Sequence, residues 1–231
     1  MNKIFFKFAI SFALLLNTII FVVFFEDLIY VVEDYLFPLF FIYFILDSIG
    51  VILPMYNDAI YSSKMQKSIY VEVPNYNNSK LRELVRRDNR IAIVIFLLYF
   101  GMITMIGLAY THFSWFDRKF IYLIFFTLNF SDYFCIMLWC PFRELFLKNS
   151  CCNTCRISNW DRIMKFSILI FIPNVFTITI FIIGVAIFFY WEYHHYVHPE
   201  RFYRISNQTL WCSHCDKITC GKKHNNVSKK E

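Results

Sequence analysis

The sequence predicts an all-α protein that crosses a membrane several times and ends in a small cysteine-rich tail. Of its 231 residues, 58% are hydrophobic and 17% are charged, whereas soluble domains average about 45–50% apolar and about 25% charged residues. The apolar residues form long blocks rather than an amphipathic pattern. Because backbone amides in lipid must be hydrogen-bonded within their own segment, these blocks are expected to be helices of a transmembrane bundle.

Four blocks are long enough to cross the bilayer, because a span needs roughly 20 mostly apolar residues. They are residues 4–25, 35–53, 91–111 and 120–140. The first could also be a signal peptide, since Lys3 and Lys7 resemble its positive region. However, its apolar run is longer than that of a usual signal peptide, and no small-residue cleavage pattern precedes Glu26. We therefore predict a retained first span.

The fifth block, residues 166–191, is long enough to cross but is interrupted by Pro173 and Asn174. Proline lacks a backbone N–H and breaks the hydrogen-bond ladder of a helix. One interpretation is a single kinked span. The other is a re-entrant hairpin in which residues 159–172 enter the membrane and residues 175–191 return, with Asn174 bonding the freed carbonyl groups.

The distribution of positive charge favours the hairpin. Lys and Arg concentrate in cytoplasmic loops, which places the N-terminus and the loops 54–90 and 141–165 in the cytoplasm of a cell membrane. A single crossing by the fifth block would put the basic tail outside, whereas a hairpin returns it to the cytoplasm. The predicted domains are a membrane domain, residues 1–191, and a tail, residues 192–231.

The end of the loop 54–90 has a helical pattern of its own. In residues 79–90, Leu81, Leu84 and Val85 share one face of a helix, and the arginines lie on another. Such a helix could lie along anionic lipid headgroups. The alternative is ordinary positive charge flanking the third span, which we favour.

Two acidic residues lie within predicted spans: Asp47 in the second and Asp132 in the fourth. A carboxylate inside a membrane is costly and is a candidate functional group by default. No Lys or Arg falls in the core of a predicted span, so we expect at least one of the two acids to be protonated. The pair could relay protons or bind a cation, or it could only form hydrogen bonds between helices, for example with Ser or Asn.

Eight cysteines include two clusters with metal-ligand spacing. The clusters are Cys151, Cys152 and Cys155, followed by Cys212, Cys215 and Cys220 with His224 nearby. Each cluster contains a C-x2-C pair, and zinc sites are often built from two such pairs. An iron–sulfur cluster also takes four thiolates. The tail set could close a site alone, or each cluster could supply one pair.

Two other interpretations of the cysteines stay open. C-x2-C is also a redox motif when nearby cations favour the thiolate. Structural disulfides would be natural if the tail lay outside the cell. A further metal candidate is the pair His194 and His198, which lie at helical spacing. The pair lacks the acid of an H-E-x-x-H motif, so we interpret these histidines as interfacial.

Three sequence stretches carry a family resemblance. They are WCPF (139–142), KNSCCNTCRISNWD (148–161) and HPERF (198–202), the last followed by the C-x2-C tail. Together they resemble a family of small bacterial multi-pass membrane proteins with no assigned activity. The resemblance covers roughly residues 85–224. It implies the architecture and a cytoplasmic cysteine-rich end, and it carries no catalytic residues.

Three functional hypotheses follow. The first is a membrane protein that binds Zn²⁺ or an Fe–S cluster through its cysteines; the second is a membrane thiol–disulfide oxidoreductase; the third is a small proton-coupled transporter that uses Asp47 and Asp132. The sequence has no phosphate-binding loop and no nucleophile motif, so it gives no case for a hydrolase or kinase. The partner it implies is the lipid bilayer, and we expect no nucleic-acid partner.

Overall fold

The computed structural model describes residues 3–24, 37–52, 65–147 and 155–211. Six α-helices lie in these ranges: α1 (Lys3–Phe24), α2 (Phe37–Ile52), α3 (Asn78–His112), α4 (Arg118–Met137), α5 (Asp161–Phe166) and α6 (Val175–Val197). The chain also forms a π-helical turn at Phe142–Leu147 and 3₁₀ turns at Arg156–Trp160, Ser167–Phe171, Pro199–Arg201 and Gln208–Leu210. The described ranges contain no strand, only one isolated bridge between Glu72 and Asn207.

Four of the described helices, α1, α3, α4 and α6, are long and apolar enough to cross a membrane. This confirms the predicted all-α, multi-pass class. Helix α2 is apolar but has 16 residues, which reach only about 24 Å. Helix α3 has 35 residues and a length of about 52 Å, so the predicted amphipathic segment and the third span form one continuous helix.

The fifth apolar block is a hairpin, as the charge distribution predicted. Residues 156–171, termed the inward arm, run antiparallel to α6: Trp160 packs against Phe188 and Arg156 binds Glu192. The turn lies near the far end of α3, because the ring of Phe171 packs against Tyr110, close to the last residue of that helix. The 3₁₀ and α turns give the inward arm a length of about 29 Å, close to the hydrocarbon thickness of about 30 Å.

The turn of the hairpin is closed by a capping box. Asn174 is the N-cap of α6, and its side chain accepts a hydrogen bond from the Thr177 amide at 2.8 Å. The Thr177 hydroxyl accepts from the Asn174 amide at 2.9 Å and donates to the Ile172 carbonyl at 2.7 Å. The prediction that Asn174 bonds a freed carbonyl is therefore wrong: the Thr177 hydroxyl donates to the Ile172 carbonyl, and the Asn174 side-chain oxygen accepts from the Thr177 amide.

The inward arm is the centre of the bundle. Phe166, Ile168 and Leu169 are fully buried. Phe166 contacts Phe44 of α2 and Phe125 of α4. On the other side, the α6 backbone comes so close at Gly184 that a Cβ there would lie 3.0 Å from the Phe166 ring and 3.2 Å from the Arg162 carbonyl oxygen. The arm is therefore enclosed on several sides, although part of it belonged to the predicted loop 141–165.

A small cap covers the end of the bundle where α3 begins and α6 ends. Helix α6 continues to Val197, beyond the predicted boundary at residue 191, and residues 199–211 fold back onto residues 65–77. The Val73 amide donates to the Ser206 carbonyl at 3.1 Å, and the Gln208 amide donates to the Val71 carbonyl at 2.9 Å. The start of the tail thus lies at the same end as the loop 54–90. The predicted face of Leu81 packs into this cap.

Candidate cation site

Charged side chains from four helices meet inside the bundle, at the end where α1 begins and α2 and α4 terminate. They are three cations, Lys7, Arg162 and Lys165, and three carboxylates, Asp47, Asp132 and Asp161. With all six groups ionised, their formal charges sum to zero. A neutral, connected network is the form in which charges are tolerated in a low-dielectric interior.

Asp47 forms the tight half of this network. Each of its two carboxylate oxygens accepts a hydrogen bond from a different cation. Oδ1 accepts from Lys7 Nζ at 2.8 Å, and Oδ2 accepts from Arg162 Nη2 at 2.5 Å. The Asp47 side chain is only 3% exposed. Arg162 also binds Asp161, the first residue of α5. These contacts tie α1 and α2 to the inward arm.

Asp132 belongs to the loose half. Its Oδ2 lies 4.0 Å from Lys165 Nζ, and its side chain is 16% exposed. The Lys165 ammonium, itself 2% exposed, also lies 3.8 Å from Asp161 Oδ2 and 3.4 Å from Asn129 Oδ1. It therefore sits among oxygen atoms from two carboxylates and an amide. Asn129 donates in turn to Ser11 Oγ of α1 at 3.1 Å.

Two aromatic rings also lie close to the Lys165 ammonium. Its Nζ lies 5.9 Å from the ring centre of Phe44 and 5.6 Å from that of Phe166. Both distances are within the range in which a ring face attracts a cation. The structure thus encloses this ammonium in a pocket suited to a positive charge.

A cavity of about 320 Å³ adjoins this pocket. Asp132, Asp161 and Lys165 form its charged part. Its apolar walls come from α3, from α4, from the π-helical turn and from the inward arm. They include Leu98, Leu128, Phe146 and Met164. Of the charged groups, the two carboxylates are more exposed than the ammonium, so a molecule in the cavity meets carboxylate oxygens first.

The structure corrects one prediction about the intramembrane acids. That at least one acid is neutral stays a prediction, but the expectation that no Lys or Arg reaches a span core is wrong. Instead, Arg162 and Lys165 approach Asp47 and Asp132 from the inward arm. Sequence reasoning assigned both cations to a loop, and the only signal for their burial was the hairpin that Pro173 predicted. Asn129, which lies one turn before Asp132 in α4, forms a hydrogen bond between helices with Ser11 of α1.

Most predicted cysteine ligands lie outside the described residues: Cys151, Cys152, Cys212, Cys215, Cys220 and His224. Cys155 is described and is buried. It lines the cavity together with Cys135 and Cys140. Within the described ranges, no three His, Cys, Asp or Glu side chains are grouped closely enough to hold a metal ion.

The histidines after the fifth block lie at the junction with the cap. The rings of His194 and His198 stack with centres 6.5 Å apart, and His198 Nδ1 lies 3.1 Å from Glu200 Oε1. His195 faces inward, with Nε2 3.3 Å from the Tyr203 hydroxyl. Burial raises the pKa of Tyr203 above its ordinary value, so this hydroxyl keeps its proton at neutral pH.

A second buried ion pair supports the cap end of the inward arm. Arg156 forms two hydrogen bonds with the Glu192 carboxylate and a third with Asn89 of α3. Trp160 Nε1 donates to Glu192 Oε1 at 2.7 Å. This cluster does not line the cavity, and its contacts fix the inward arm between α3 and α6.

Comparison with known proteins gives no further guide to function. No family model matches the chain, and no curated protein or solved structure was found to be similar to it.

Proposed function

We propose that the protein exchanges a cation for a proton at the site formed by Lys165, Asp132 and Asp161. One observation carries the proposal: the Lys165 amino group lies among oxygens of Asp132, Asp161 and Asn129, and both carboxylates line a cavity. A cation arriving through the cavity meets the oxygens that now surround the ammonium. This develops the proton-coupled hypothesis drawn from Asp47 and Asp132.

The exchange leaves the charge of the network unchanged. The incoming cation binds to the Asp132 and Asp161 carboxylates, and an N–H bond of the Lys165 ammonium breaks. Lysine becomes a neutral amine, and the proton passes to water. One positive charge enters and one leaves, which avoids the large free-energy cost of an uncompensated charge in a low-dielectric interior.

The residue types in the two halves of the network suit this division of roles. A buried ammonium gives up its proton readily, whereas a guanidinium stays charged. Arg162, bound to Asp47 and Asp161, therefore remains a fixed positive charge. Lys165 is the cation that exchanges its proton.

Proton movement in proteoliposomes tests the proposal. The purified chain is reconstituted with a pH-sensitive dye inside, and sodium, potassium, tetramethylammonium or benzyltrimethylammonium is added outside in turn. We expect at least one of these cations to accelerate proton movement over protein-free liposomes. Asp132→Asn, which keeps the shape and removes the charge, should abolish the acceleration.

Asp117→Asn is the matched control, because it makes the same substitution at the opposite end of α4. Asp117 is the N-cap of that helix, and Asn is an equally good N-cap, so this variant should behave like the original chain. If no cation moves protons, or if Asp132→Asn retains the full effect, the exchange proposal is wrong.

A thiolate metal site is a second proposal. The observation that favours it is the burial of Cys155 at the same cavity as Cys140. Cys151, Cys152, Cys155, Cys212, Cys215 and Cys220 would supply thiolates to Zn²⁺ or an Fe–S cluster, with His224 as a further ligand. Elemental analysis of the purified protein tests it, and a folded, metal-free preparation would count against it.

The sidedness is also a proposal. We place the capped end of the bundle in the cytoplasm, because the loop 65–77, the inward arm and the start of the tail meet there and the flanking sequence is rich in Lys and Arg.

A further inference from the structure

We infer that the exchanged cation is a lipophilic organic cation that enters the site sideways from the lipid. The inference rests on the proposed exchange and names its substrate class. It follows from three properties of the cavity: its few oxygen atoms, its apolar walls and the position of its opening.

The oxygens within 4.0 Å of the Lys165 ammonium are fewer than a hard divalent ion takes. The Lys165 ammonium is surrounded by oxygens of Asp132, Asp161 and Asn129. Hard divalent ions such as Ca²⁺ and Mg²⁺ take about six or more oxygen ligands, and Mg²⁺ gives up its water reluctantly. An organic ammonium needs charge compensation without a complete shell of oxygens.

The cavity walls suit the apolar part of such a cation. Leu98, Met102 and Leu128 supply aliphatic surface, and Phe142 and Phe146 supply aromatic rings. Aromatic rings attract quaternary ammonium groups through their negative faces. The volume, about 320 Å³, lies at the lower end of the range of about 300–1,000 Å³ for small-molecule sites, which fits a compact organic cation.

The opening of the cavity faces the lipid. Its lining residues Leu98 and Phe146 are also exposed on the outside of the bundle, Leu98 by 61%. Leu98 belongs to α3, which is long and apolar enough to cross a membrane, and Phe146 belongs to the π-helical turn Phe142–Leu147. A cation dissolved near the membrane surface therefore reaches Asp132 between α3 and the π-helical turn, without passing through the cap.

Binding by the detergent-solubilised full chain tests the inference. Benzyltrimethylammonium, tetramethylammonium and sodium are titrated in weak buffer, and both binding and proton release are measured. Benzyltrimethylammonium should bind at least about tenfold more tightly than tetramethylammonium, which carries the same charge without the ring. We expect about one proton released per cation bound, because the network stays neutral.

Two neighbouring leucines provide matched variants of the opening. Leu98, which lines the cavity, and Leu97, which does not, are exposed by 61% and 62%. Tryptophan at either position faces lipid, so both variants should fold. Leu98→Trp should weaken benzyltrimethylammonium binding at least about tenfold by filling the opening, and Leu97→Trp should leave it unchanged.

The outcomes separate the inference from the proposed function. Sodium that releases protons where benzyltrimethylammonium does not would support exchange and overturn the lipophilic substrate. Benzyltrimethylammonium that binds without proton release would support the cation site and overturn the exchange. Equal affinity for the two ammonium ions, or equal behaviour of Leu97→Trp and Leu98→Trp, would overturn the lipid-side site.

Discussion

Asp47 and Asp132 are equivalent in the sequence, each a single acid in an apolar span, but their surroundings differ. Each Asp47 oxygen binds its own cation, at 2.8 Å and 2.5 Å. Asp132 lies 4.0 Å from a single ammonium and faces a cavity. The comparison separates an acid that holds helices together from an acid that is available to a ligand.

The difference originates in the inward arm. Arg162 and Lys165 are three residues apart, so they leave the arm on neighbouring parts of its surface. The longer, forked Arg162 reaches two carboxylates, whereas Lys165 is held among three oxygens at 3.4–4.0 Å. The planar, forked guanidinium of Arg162 favours fixed pairing with carboxylates, whereas the compact ammonium of Lys165 favours exchange of a proton.

The largest expected effect comes from breaking the tight half with Asp47→Asn. This leaves Asp161 as the only carboxylate bound to Arg162. Removing one member of a buried ion pair typically costs about 3–5 kcal/mol. We expect the free energy of unfolding in detergent, measured by denaturant titration, to fall by that order.

The double variant Asp47→Asn with Arg162→Gln is the control for this prediction. It removes both charges of the pair, so its loss should be smaller than the sum of the two single losses. Additive losses, or a loss below about 1 kcal/mol for Asp47→Asn alone, would show that the tight half does not stabilise the bundle.

A smaller loss of stability is expected when the inward arm, which carries Arg162 and Lys165, is displaced. In Gly184→Ala the new methyl group meets the Phe166 ring at 3.0 Å and the Arg162 carbonyl oxygen at 3.2 Å. Overpacking of this kind typically costs about 1–3 kcal/mol. The unfolding transition should shift accordingly, and cation binding should weaken because α5 is displaced.

Gly101→Ala is the control for that variant. No atom lies within 4 Å of a Cβ at Gly101, and alanine is favoured over glycine in a helix by roughly 0.5–1 kcal/mol. This variant should therefore be as stable as the original chain or slightly more stable. If Gly184→Ala behaved in the same way, the close approach of α6 to the inward arm would be unimportant for stability.

The smallest effect on stability is expected from Asp132→Asn. Lys165 keeps Asp161 and Asn129 as neighbours and releases its proton to water in this variant, which leaves the network neutral. The free energy of unfolding should therefore fall by no more than about 1 kcal/mol. Cation-dependent proton movement should nevertheless be lost. A loss of stability as large as that of Asp47→Asn would remove the distinction between the two acids.

Local sequence features predicted much of the fold. The apolar blocks predicted the spanning helices, and Pro173 with the charge distribution predicted the hairpin. They did not predict the 3₁₀ turns that lengthen the inward arm, because apolar content alone does not distinguish 3₁₀ from α geometry. Nor did they predict the packing of residues 199–211 on residues 65–77, which joins segments more than 120 positions apart.

The candidate site was predicted only in part. Asp47 and Asp132 were identified because an acid in an apolar span is unusual. Arg162 and Lys165 were missed because positive charges beside a span usually mark a cytoplasmic loop. The cavity was also missed, since its walls come from four separate segments and no local pattern marks them.

Local patterns in the sequence predict a multi-pass helical protein, the positions of its apolar helices and the break in the fifth block. Hydropathy and proline act through neighbouring residues, so these properties are local. Which charges meet depends on tertiary packing, because Arg162 and Asp47 are 115 positions apart in the sequence. A charged segment is stable inside a bundle only when its partners are present there, and the packing of the inward arm between α2, α4 and α6 brings those partners together.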